Sequence, residues 1–199
     1  MIPVDALLNA YASGWFPMAV VPGDIRWYSP DPRGVIPLDT FHVPSRLARS
    51  LRAHPFDIRL NTRFRDVIEG CAERSDDEGN WIDREIIESY CALHEKGFAH
   101  SVEVWRHGQL VGGLYGVALG GAFFGESMFH RVTDASKAAL VALVERLRAR
   151  GYVLLDTQWV TGHLVQFGAI EITRRRYLRR LDEALTVDAS FAGEPASAS

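Results

Sequence analysis

Hydrophobic and polar residues alternate through the middle of the chain with the two-residue period of a β-strand. Residues 101–105 follow this pattern, His107-Gly108 interrupts it, and residues 109–119 resume it, which predicts a β-hairpin. A third strand is predicted through residues 122–124, ending at Gly125-Glu126-Ser127. A helical pattern then covers residues 134–150 and stops at Gly151, and an apolar run at 152–155 predicts a buried strand.

Two further helices are predicted before this hairpin. One begins after Pro44 and covers Ser45 to Ala53. The other follows Asn80, which we expect to cap it, with Asp83 near the first turn and Gly97 at its end. Helices, hairpin, strand, long helix and strand together predict an α/β (α+β) fold with an acetyltransferase-like mixed sheet and flanking helices.

The first 60 residues differ in composition from the rest, because eight of the nine prolines lie there. Proline density of this kind favours short strands, turns and extended connections over helices. We therefore expect a small N-terminal subdomain, rich in turns and aromatic residues, over residues 1–60. A catalytic domain is expected over 61–186, and the small residues at 187–199 predict a flexible tail.

Composition excludes several classes of protein. The chain is 47% hydrophobic, which excludes disorder for most of it, and it contains no run approaching the roughly 20 apolar residues of a membrane span. Residues 1–11 lack the basic start and long apolar stretch of a signal peptide. Two cysteines and seven histidines show no metal-ligand spacing. We expect a cytoplasmic protein with no membrane association, no metal and no disulfide framework.

A formal net charge of −3 argues against nucleic-acid binding by bulk electrostatics, so any RNA contact requires a local basic patch. Five arginines near the C-terminus form a candidate phosphate-binding patch on a short helix: Arg174, Arg175, Arg176, Arg179 and Arg180. The alternative is a solvated basic face that Asp182 and Glu183 offset.

The strand predicted at 152–155 ends in Asp156-Thr157-Gln158, which places Asp156 and Gln158 on one face. An acid beside an amide at the carboxyl end of a strand is a candidate catalytic pair. The alternative is that Asp156 caps the next turn and Gln158 satisfies backbone groups. Ser127 lies at another strand end, but neither GxSxG spacing nor a readable Ser-His-Asp arrangement supports a nucleophilic role.

Aromatic residues are concentrated in the turn-rich segments. They are consistent either with platforms on which a nucleobase stacks or with ordinary buried side chains. They are Trp15, Phe16, Trp27, Tyr28 and Trp81. A coenzyme A-dependent acetyltransferase requires a glycine-rich turn before its long helix. Residues 128–133 hold no glycine, so the sequence disfavours that cofactor.

Ordered blocks of the sequence resemble the leucyl/phenylalanyl-tRNA–protein transferase family from Tyr11 to Leu181. The blocks are Gly14-Trp15-Phe16-Pro17-Met18, residues 27–33 (WYSPDPR), Trp81-Ile82, residues 99–105 (AHSVEVW), residues 110–116 (LVGGLYG), residues 125–129 (GESMF), Ala135-Ser136-Lys137, Asp156-Thr157-Gln158, His163 and Gly168-Ala169. Three positions depart from the family pattern, at Met18, Asn80 and Gln166. None of them touches the candidate catalytic pair.

The resemblance implies an aminoacyltransferase that moves Leu, Phe or, less well, Met from charged tRNA to the N-terminal Arg or Lys of acceptor proteins, marking them for degradation. It implies catalytic roles for Asp156 and Gln158, donor positioning by Glu126, and no cofactor. It also implies that Trp81 and the segment from Trp15 to Met18 flank the terminal adenosine. The residues implied to line a side-chain pocket are Leu114, Met128, Leu140, Leu143 and Leu155.

Two other functions stay open on the residues alone. One is a coenzyme A-dependent N-acetyltransferase that shares the fold, which binding of coenzyme A in place of charged tRNA would distinguish. The other is a non-catalytic module that binds the tRNA 3′ end through aromatic residues and arginines. Turnover of labelled leucine onto a peptide separates this module from an enzyme.

Overall fold

The computed structural model describes residues 1–21, 23–73 and 81–192. Its helices are α1 Val4–Ala12, α2 Ser45–Ala53, α3 Phe64–Ala72, α4 Arg84–Glu95, α5 Ala135–Ala149, α6 Gly162–Val165 and α7 Arg174–Leu185. Its strands are β1 Phe16–Val21, β2 Asp24–Tyr28, β3 Arg33–Ile36, β4 Asp57–Leu60, β5 Ala99–Arg106, β6 Gln109–Leu119, β7 Ala122–His130, β8 Leu154–Gln158 and β9 Ile170–Ile172.

A seven-stranded mixed sheet organises the molecule, with strand order β4-β5-β6-β7-β8-β3-β9. All neighbours are antiparallel except β7 and β8, which are parallel and connected through α5. Strands β1 and β2 form a separate two-stranded ribbon. The predicted α/β fold, a large mixed sheet flanked by helices, is confirmed.

Two hydrophobic clusters lie on opposite faces of this sheet, since successive strand residues point to opposite sides. Phe124 and Leu154 belong to one cluster, which also contains apolar residues of α1, α3, α4 and α7. Their neighbours Phe123 and Leu155 belong to the other, which α2 and α5 cover. Because both faces are covered, the central strands are buried almost throughout.

Local signals located several elements correctly. The β5–β6 hairpin turns at His107 and Gly108, whose φ angles of 51° and 77° are those of a tight hairpin turn. Helix α2 begins after Pro44 as predicted. The predicted strand at 152–155 is shifted, because Tyr152 closes the end of α5 by donating to Leu147 O and the strand starts at Leu154.

Three expectations were wrong. The cap of α4 is Asp83, whose Oδ1 accepts from the Ile86 N–H at 2.9 Å; Asn80 lies outside the described residues. Strand β7 does not end at Gly125-Glu126-Ser127 but continues to His130. Residues 4–12 form a helix in the segment predicted to be extended, because Pro3 precedes the first turn, where a missing N–H is tolerated.

Residues 187–192, the first part of the segment predicted to be a flexible tail, contact the rest of the molecule. Phe191 is only 2% exposed and stacks on His100 and Phe123. Arg146 donates to the Phe191 carbonyl, and Arg150 Nε donates to Ser190 O at 2.7 Å. Burial of one large aromatic side chain therefore anchors this segment, and residues 193–199 lie outside the described residues.

None of the helices described in the structure is long and apolar enough to span a membrane.

Candidate active site

Strands β7 and β8 pair only over their first three residues, ending at Phe124 and Asp156, although both strands continue. Each contains a β-bulge just beyond this point. The β6–β7 register passes from Gly125 directly to Ser127, leaving Glu126 as the inserted residue. The β3–β8 register likewise omits Thr157. Bulges bend strands and redirect side chains, so the two strands part where Glu126 and Gln158 project.

Asp156 is fully buried and forms a bidentate ion pair with Arg33, which is also fully buried. Arg33 Nε donates to Asp156 Oδ1 at 2.9 Å, and Arg33 Nη2 donates to Oδ2 at 2.6 Å. The Tyr177 hydroxyl donates to Oδ2 at 2.7 Å. Burial lowers the pKa of Arg33, but Asp156 more than offsets this and the net shift is upward.

Gln158 has a left-handed backbone with φ of 59°, which is uncommon outside glycine. Its backbone N–H donates to Asp156 Oδ1 at 2.8 Å, and its side-chain Nε2 donates to Glu126 Oε1 at 3.3 Å. A non-glycine residue in this region costs about 1–3 kcal/mol and persists only where its surroundings hold it. Asp156 supplies part of that restraint.

Two tyrosines on separate helices lie within hydrogen-bond distance of Glu126. The Tyr11 hydroxyl donates to Oε1 at 2.8 Å, and the Tyr90 hydroxyl, 3.4 Å from Oε2, donates either to that oxygen or to the Tyr11 hydroxyl beside it. Removal from water raises the pKa of Glu126 to about 8. Asp156 raises this pKa further, while Arg33 and the two tyrosine hydrogen bonds lower it.

Burial and the charge of Glu126 raise the pKa of both tyrosines well above their usual value. A third tyrosine, Tyr115 of β6, is also fully buried near Glu126, and its pKa is raised for the same two reasons. The groups facing Glu126 are therefore neutral phenols, one carboxylate and one guanidinium.

The five residues implied to line a side-chain pocket fall within one hydrophobic cluster. Leu114, Leu140, Leu143 and Leu155 are buried, and Met128 packs against them, half-buried. Met128 lies directly opposite Leu114 in the β6–β7 pair. Leu155 precedes Asp156, so this apolar surface adjoins the candidate pair along the chain.

Two of the three residues implied to flank adenosine lie close together. The Ala19 N–H donates to Trp81 O at 3.2 Å, and Met18 and Trp81 both pack, half-buried, against the hydrophobic cluster that contains Tyr11 and Tyr90. Trp15 is separate, with 45% of its surface exposed. The carbonyl of its neighbour Gly14 accepts a hydrogen bond from Arg33 at 2.9 Å, which connects this segment to the candidate pair.

The C-terminal arginines occupy the outer side of α7, whose other side is buried through Tyr177, Leu181 and Ala184. Arg175, Arg176 and Arg179 line a surface cavity of about 320 Å³ together with Thr173. Arg174 donates to the Ser29 carbonyl, and its backbone N–H donates to Asp31. Arg180 is half-buried and does not line this cavity.

Sequence reasoning missed four residues that contact the candidate pair or Glu126: Arg33, Tyr177, Tyr11 and Tyr90. Arg33 lies in one of the family blocks, but its burial was not foreseen. A carboxylate buried at a strand end normally requires a cationic partner, and this rule is the signal that could have prompted a search for one. The tyrosines gave no signal of their own, because their hydroxyls meet only through tertiary packing.

The arrangement provides a hydrogen-bonded series that runs from Arg33 through Asp156 and Gln158 to Glu126. The Gln158 carboxamide has an oxygen that can accept from an amine N–H while its nitrogen donates to Glu126. Glu126 can hold or release a proton near neutral pH, since its pKa is about 8. These groups suit alignment and proton removal for an attacking amine and supply no covalent nucleophile.

Comparison with known proteins identifies the family. The model described as leucyl/phenylalanyl-tRNA protein transferase matches residues 35–182, and the model of its N-terminal domain matches residues 1–31. The leucyl/phenylalanyl-tRNA–protein transferase of Rhodopseudomonas palustris (strain TIE-1) is 56% identical over 98% of this chain and 88% of its own length. That of Phenylobacterium zucineum (strain HLK1) is 58% identical over 93% of this chain and 85% of its own.

Among solved structures, L-PGS from Bacillus licheniformis is 13% identical with a TM-score of 0.45, over 81% of this chain and 54% of that one. A GCN5-related N-acetyltransferase-like protein from Streptococcus suis is 18% identical with a TM-score of 0.39, over 85% and 64%. The chain belongs to the leucyl/phenylalanyl-tRNA–protein transferase family, and it is an aminoacyltransferase that moves an amino acid from tRNA to protein.

Proposed function

We propose that the enzyme transfers leucine or phenylalanine, and methionine less well, to the N-terminal Arg or Lys of acceptor proteins in the cytoplasm, marking them for degradation. The observation that carries this proposal is the hydrogen-bonded series Asp156, Gln158 and Glu126 at the point where β7 and β8 part. Leu155, a member of one apolar cluster, directly precedes Asp156 in the chain. An amine-activating group next to an apolar pocket is what transfer of a large apolar amino acid requires.

Donor selection depends on the pocket residues Leu114, Met128, Leu140, Leu143 and Leu155. An apolar pocket lined by unbranched and γ-branched side chains favours leucine, phenylalanine and methionine. Valine and isoleucine are branched at Cβ and crowd the entrance. Discrimination of one methyl group is worth about 1–3 kcal/mol, so the preference is graded.

The 3′-terminal adenosine of the donor tRNA lies, in this proposal, against Trp81, Met18 and Trp15. An indole and a thioether provide apolar surface on which a base can stack or pack. The packing of Met18 and Trp81 against one cluster supports a shared adenosine site. The aminoacyl ester is already activated, so the reaction needs no cofactor.

In the transfer step the lone pair of the acceptor α-amine attacks the ester carbonyl carbon. The C–O bond to the ribose breaks, an amide bond forms, one amine proton is lost and the ribose oxygen gains a proton. The Gln158 carboxamide oxygen orients the amine, and Glu126 accepts its proton or passes it toward the ribose. Alignment of two bound reactants contributes most of the acceleration, because no covalent enzyme intermediate is required.

The cationic side chain of the acceptor requires a nearby carboxylate, for which Glu126, Asp156 and Glu171 are the candidates. Both oxygens of Asp156 already accept two hydrogen bonds each. This leaves Glu126, which the amine itself approaches, and Glu171, which is exposed on β9. The acceptor subsite therefore draws on one or both of these two.

The arginines of α7 bind phosphates of the tRNA beyond its terminal adenosine. The cavity formed by Arg175, Arg176, Arg179 and Thr173 supports this role, because three of its four lining residues are arginines. Arg174 and Arg180 contribute at its margin.

The division into a subdomain at 1–60, a catalytic domain at 61–186 and a tail at 187–199 stays a prediction, although β3 and β4 are strands of the main sheet.

The test combines the enzyme with radiolabelled leucyl-tRNA and a peptide that begins with arginine. We expect label in the peptide, much less with a matched peptide that begins with aspartate, and none with the N-acetylated arginine peptide. Valyl-tRNA and acetyl-coenzyme A serve as donor controls. Equal transfer to the arginine and aspartate peptides would refute the acceptor assignment, and equal use of valine and leucine would refute the pocket.

A further inference from the structure

We propose that Arg33 and Tyr177 are positioning residues for aminoacyl transfer. They hold the Asp156 carboxylate so that it fixes the left-handed backbone of Gln158 and aims the Gln158 carboxamide at Glu126. Asp156 then acts on the reaction through a backbone N–H and does not itself carry a proton. The inference rests on the proposed roles of Gln158 and Glu126.

The first observation is that each carboxylate oxygen of Asp156 already accepts two hydrogen bonds. Oδ1 accepts from Arg33 Nε and from the Gln158 backbone N–H, and Oδ2 accepts from Arg33 Nη2 and the Tyr177 hydroxyl. The four donors lie 2.6–2.9 Å from these oxygens, and neither Asp156 nor Arg33 is exposed. A carboxylate enclosed in this way holds its neighbours in place and offers no site to a substrate proton.

The second observation is that Arg33 is itself held from three sides. Its Nη1 donates to the Gly14 carbonyl at 2.9 Å, and its guanidinium carbon lies 4.3 Å from the Tyr177 ring centroid and 5.0 Å from that of Phe16. These contacts come from the connection between α1 and β1, from β1 and from α7. The guanidinium is therefore fixed in place, and its two hydrogen bonds set the orientation of the Asp156 carboxylate.

The third observation concerns what Asp156 determines. Gln158 has φ of 59° directly after the inserted residue Thr157, and it contacts Asp156 through its backbone N–H. The carboxamide instead contacts Glu126. Without the N–H bond the left-handed backbone loses its restraint, and relaxation toward the extended region turns the carboxamide away from Glu126.

The test compares Arg33→Met, Asp156→Asn and the double variant Arg33→Met/Asp156→Asn in single-turnover transfer with a saturating donor. The asparagine side chain retains an oxygen for the Gln158 N–H but leaves Arg33 as an unpaired buried charge, and the double variant removes both charges. We expect each single variant to lower the rate constant by about 100-fold, the scale of a misplacement near 1 Å, with donor affinity nearly unchanged. The double variant should recover at least about tenfold over Asp156→Asn.

Recovery of the rate in the double variant supports positioning, because the negative charge of residue 156 is then dispensable. A double variant no faster than Asp156→Asn would overturn the inference and assign the charge of Asp156 to the chemistry. Rates are normalised to the fraction of enzyme that binds donor, at a temperature where all variants are folded. A merely structural role changes that fraction and the melting temperature and leaves the normalised rate constant intact.

Tyr177→Phe provides a milder variant for the case in which the buried pair cannot be altered without unfolding. It removes one hydroxyl and retains the ring beneath Arg33, and we expect a roughly tenfold slower step with normal donor affinity. Tyr152→Phe is the matched control, since Tyr152 is buried beside Phe191, away from the pair. If the rate constants of Tyr177→Phe and Tyr152→Phe lie within twofold of each other, Tyr177 has no positioning role. The wild-type enzyme, assayed with its best acceptor, is the reference. An error in the proposed substrates is therefore already seen with the wild type, before any variant is compared.

Discussion

The side-chain nitrogen of Gln158 lies 3.3 Å from Oε1 of Glu126, and each residue lies at a β-bulge of its own strand. The two strands are paired up to Phe124 and Asp156 and unpaired here. The contact therefore spans the gap between β7 and β8, and it joins a neutral amide to a carboxylate whose pKa is about 8. The following predictions test what this gap does and what surrounds it.

Glu126→Gln should change the pH dependence of stability. The pKa of Glu126 rises from 4.5 to about 8 on folding, so between these values the folded state binds more protons than the unfolded state. The free energy of unfolding of the wild type therefore receives a contribution that is present below about pH 4.5 and lost as the pH rises toward 8. Glutamine does not titrate, so urea unfolding of the variant at pH 5, 7 and 9 should show a smaller decrease.

The control for this experiment is Glu183→Gln, at an exposed glutamate on α7. It should follow the wild-type profile. Identical pH profiles for wild type and Glu126→Gln would show that Glu126 is not stabilised in its protonated form by the fold.

Met128→Ala should reduce the preference for leucine over valine and slow leucine transfer. Met128 lies opposite Leu114 and packs on the apolar cluster, so truncation widens the surface that the donor side chain contacts. We expect the ratio of leucine to valine transfer to fall by about tenfold, within the 1–3 kcal/mol of a methyl-scale discrimination. Val153→Ala, at a residue that is 58% exposed, is the control. An unchanged ratio removes Met128 from the pocket.

Arg176→Gln/Arg179→Gln should weaken tRNA binding mainly at low salt. Each lost phosphate contact flattens the slope of log affinity against log salt by about 0.7 for single-stranded RNA, so the expected change is up to about 1.4. The measurement is a salt titration with intact tRNA and with a minimal aminoacyl-adenosine donor. The minimal donor should be almost unaffected.

The matched control is Arg59→Gln/Arg63→Gln, because these arginines are exposed but already paired with Asp57 and Asp66. It should leave the slope unchanged. Equal loss of affinity for both donors would indicate that the α7 arginines act on the fold or the active site, and an unchanged slope would refute the phosphate contact.

Phe191→Ala should destabilise the enzyme without changing its substrate preference. Phe191 is 2% exposed among His100, Phe123 and Tyr152, and removal of a buried phenylalanine costs about 3–5 kcal/mol. Urea unfolding measures this loss, and transfer assays at low temperature check the preference. A loss below about 1 kcal/mol would support the prediction of a flexible tail from residue 187.

Elements with local signals could be predicted from sequence, and those that depend on distant residues could not. The β5–β6 hairpin was found because its turn residues, His107 and Gly108, adopt the conformation that their types favour. Helix α3 was missed because its N-terminal cap comes from elsewhere. The backbone N–H groups of Thr62 and Arg63 each donate at 2.7 Å to Glu103 of β5, a buried glutamate 40 residues from Arg63.

The candidate site divides in the same way. Asp156 and Gln158 could be proposed because both lie at the end of one predicted strand, although the bulge at Thr157 interrupts the strand alternation from which they were paired. The course of β7 was misjudged because the inserted Glu126 breaks the two-residue period that identifies a strand. Arg33 is 123 residues from its partner Asp156, and no periodicity connects positions so far apart.

The position of β3 in the sheet has a consequence for synthesis of the enzyme on the ribosome. This four-residue strand lies between β8 and β9, although it precedes both in the chain by more than 100 residues. It emerges early but finds both neighbouring strands complete only when residue 172 has been translated, and Arg33 can contact both Asp156 and Tyr177 only after residue 177 has been translated. Nascent chains shorter than this should therefore remain without the active site, and the enzyme should acquire donor binding only after residue 177 has been translated.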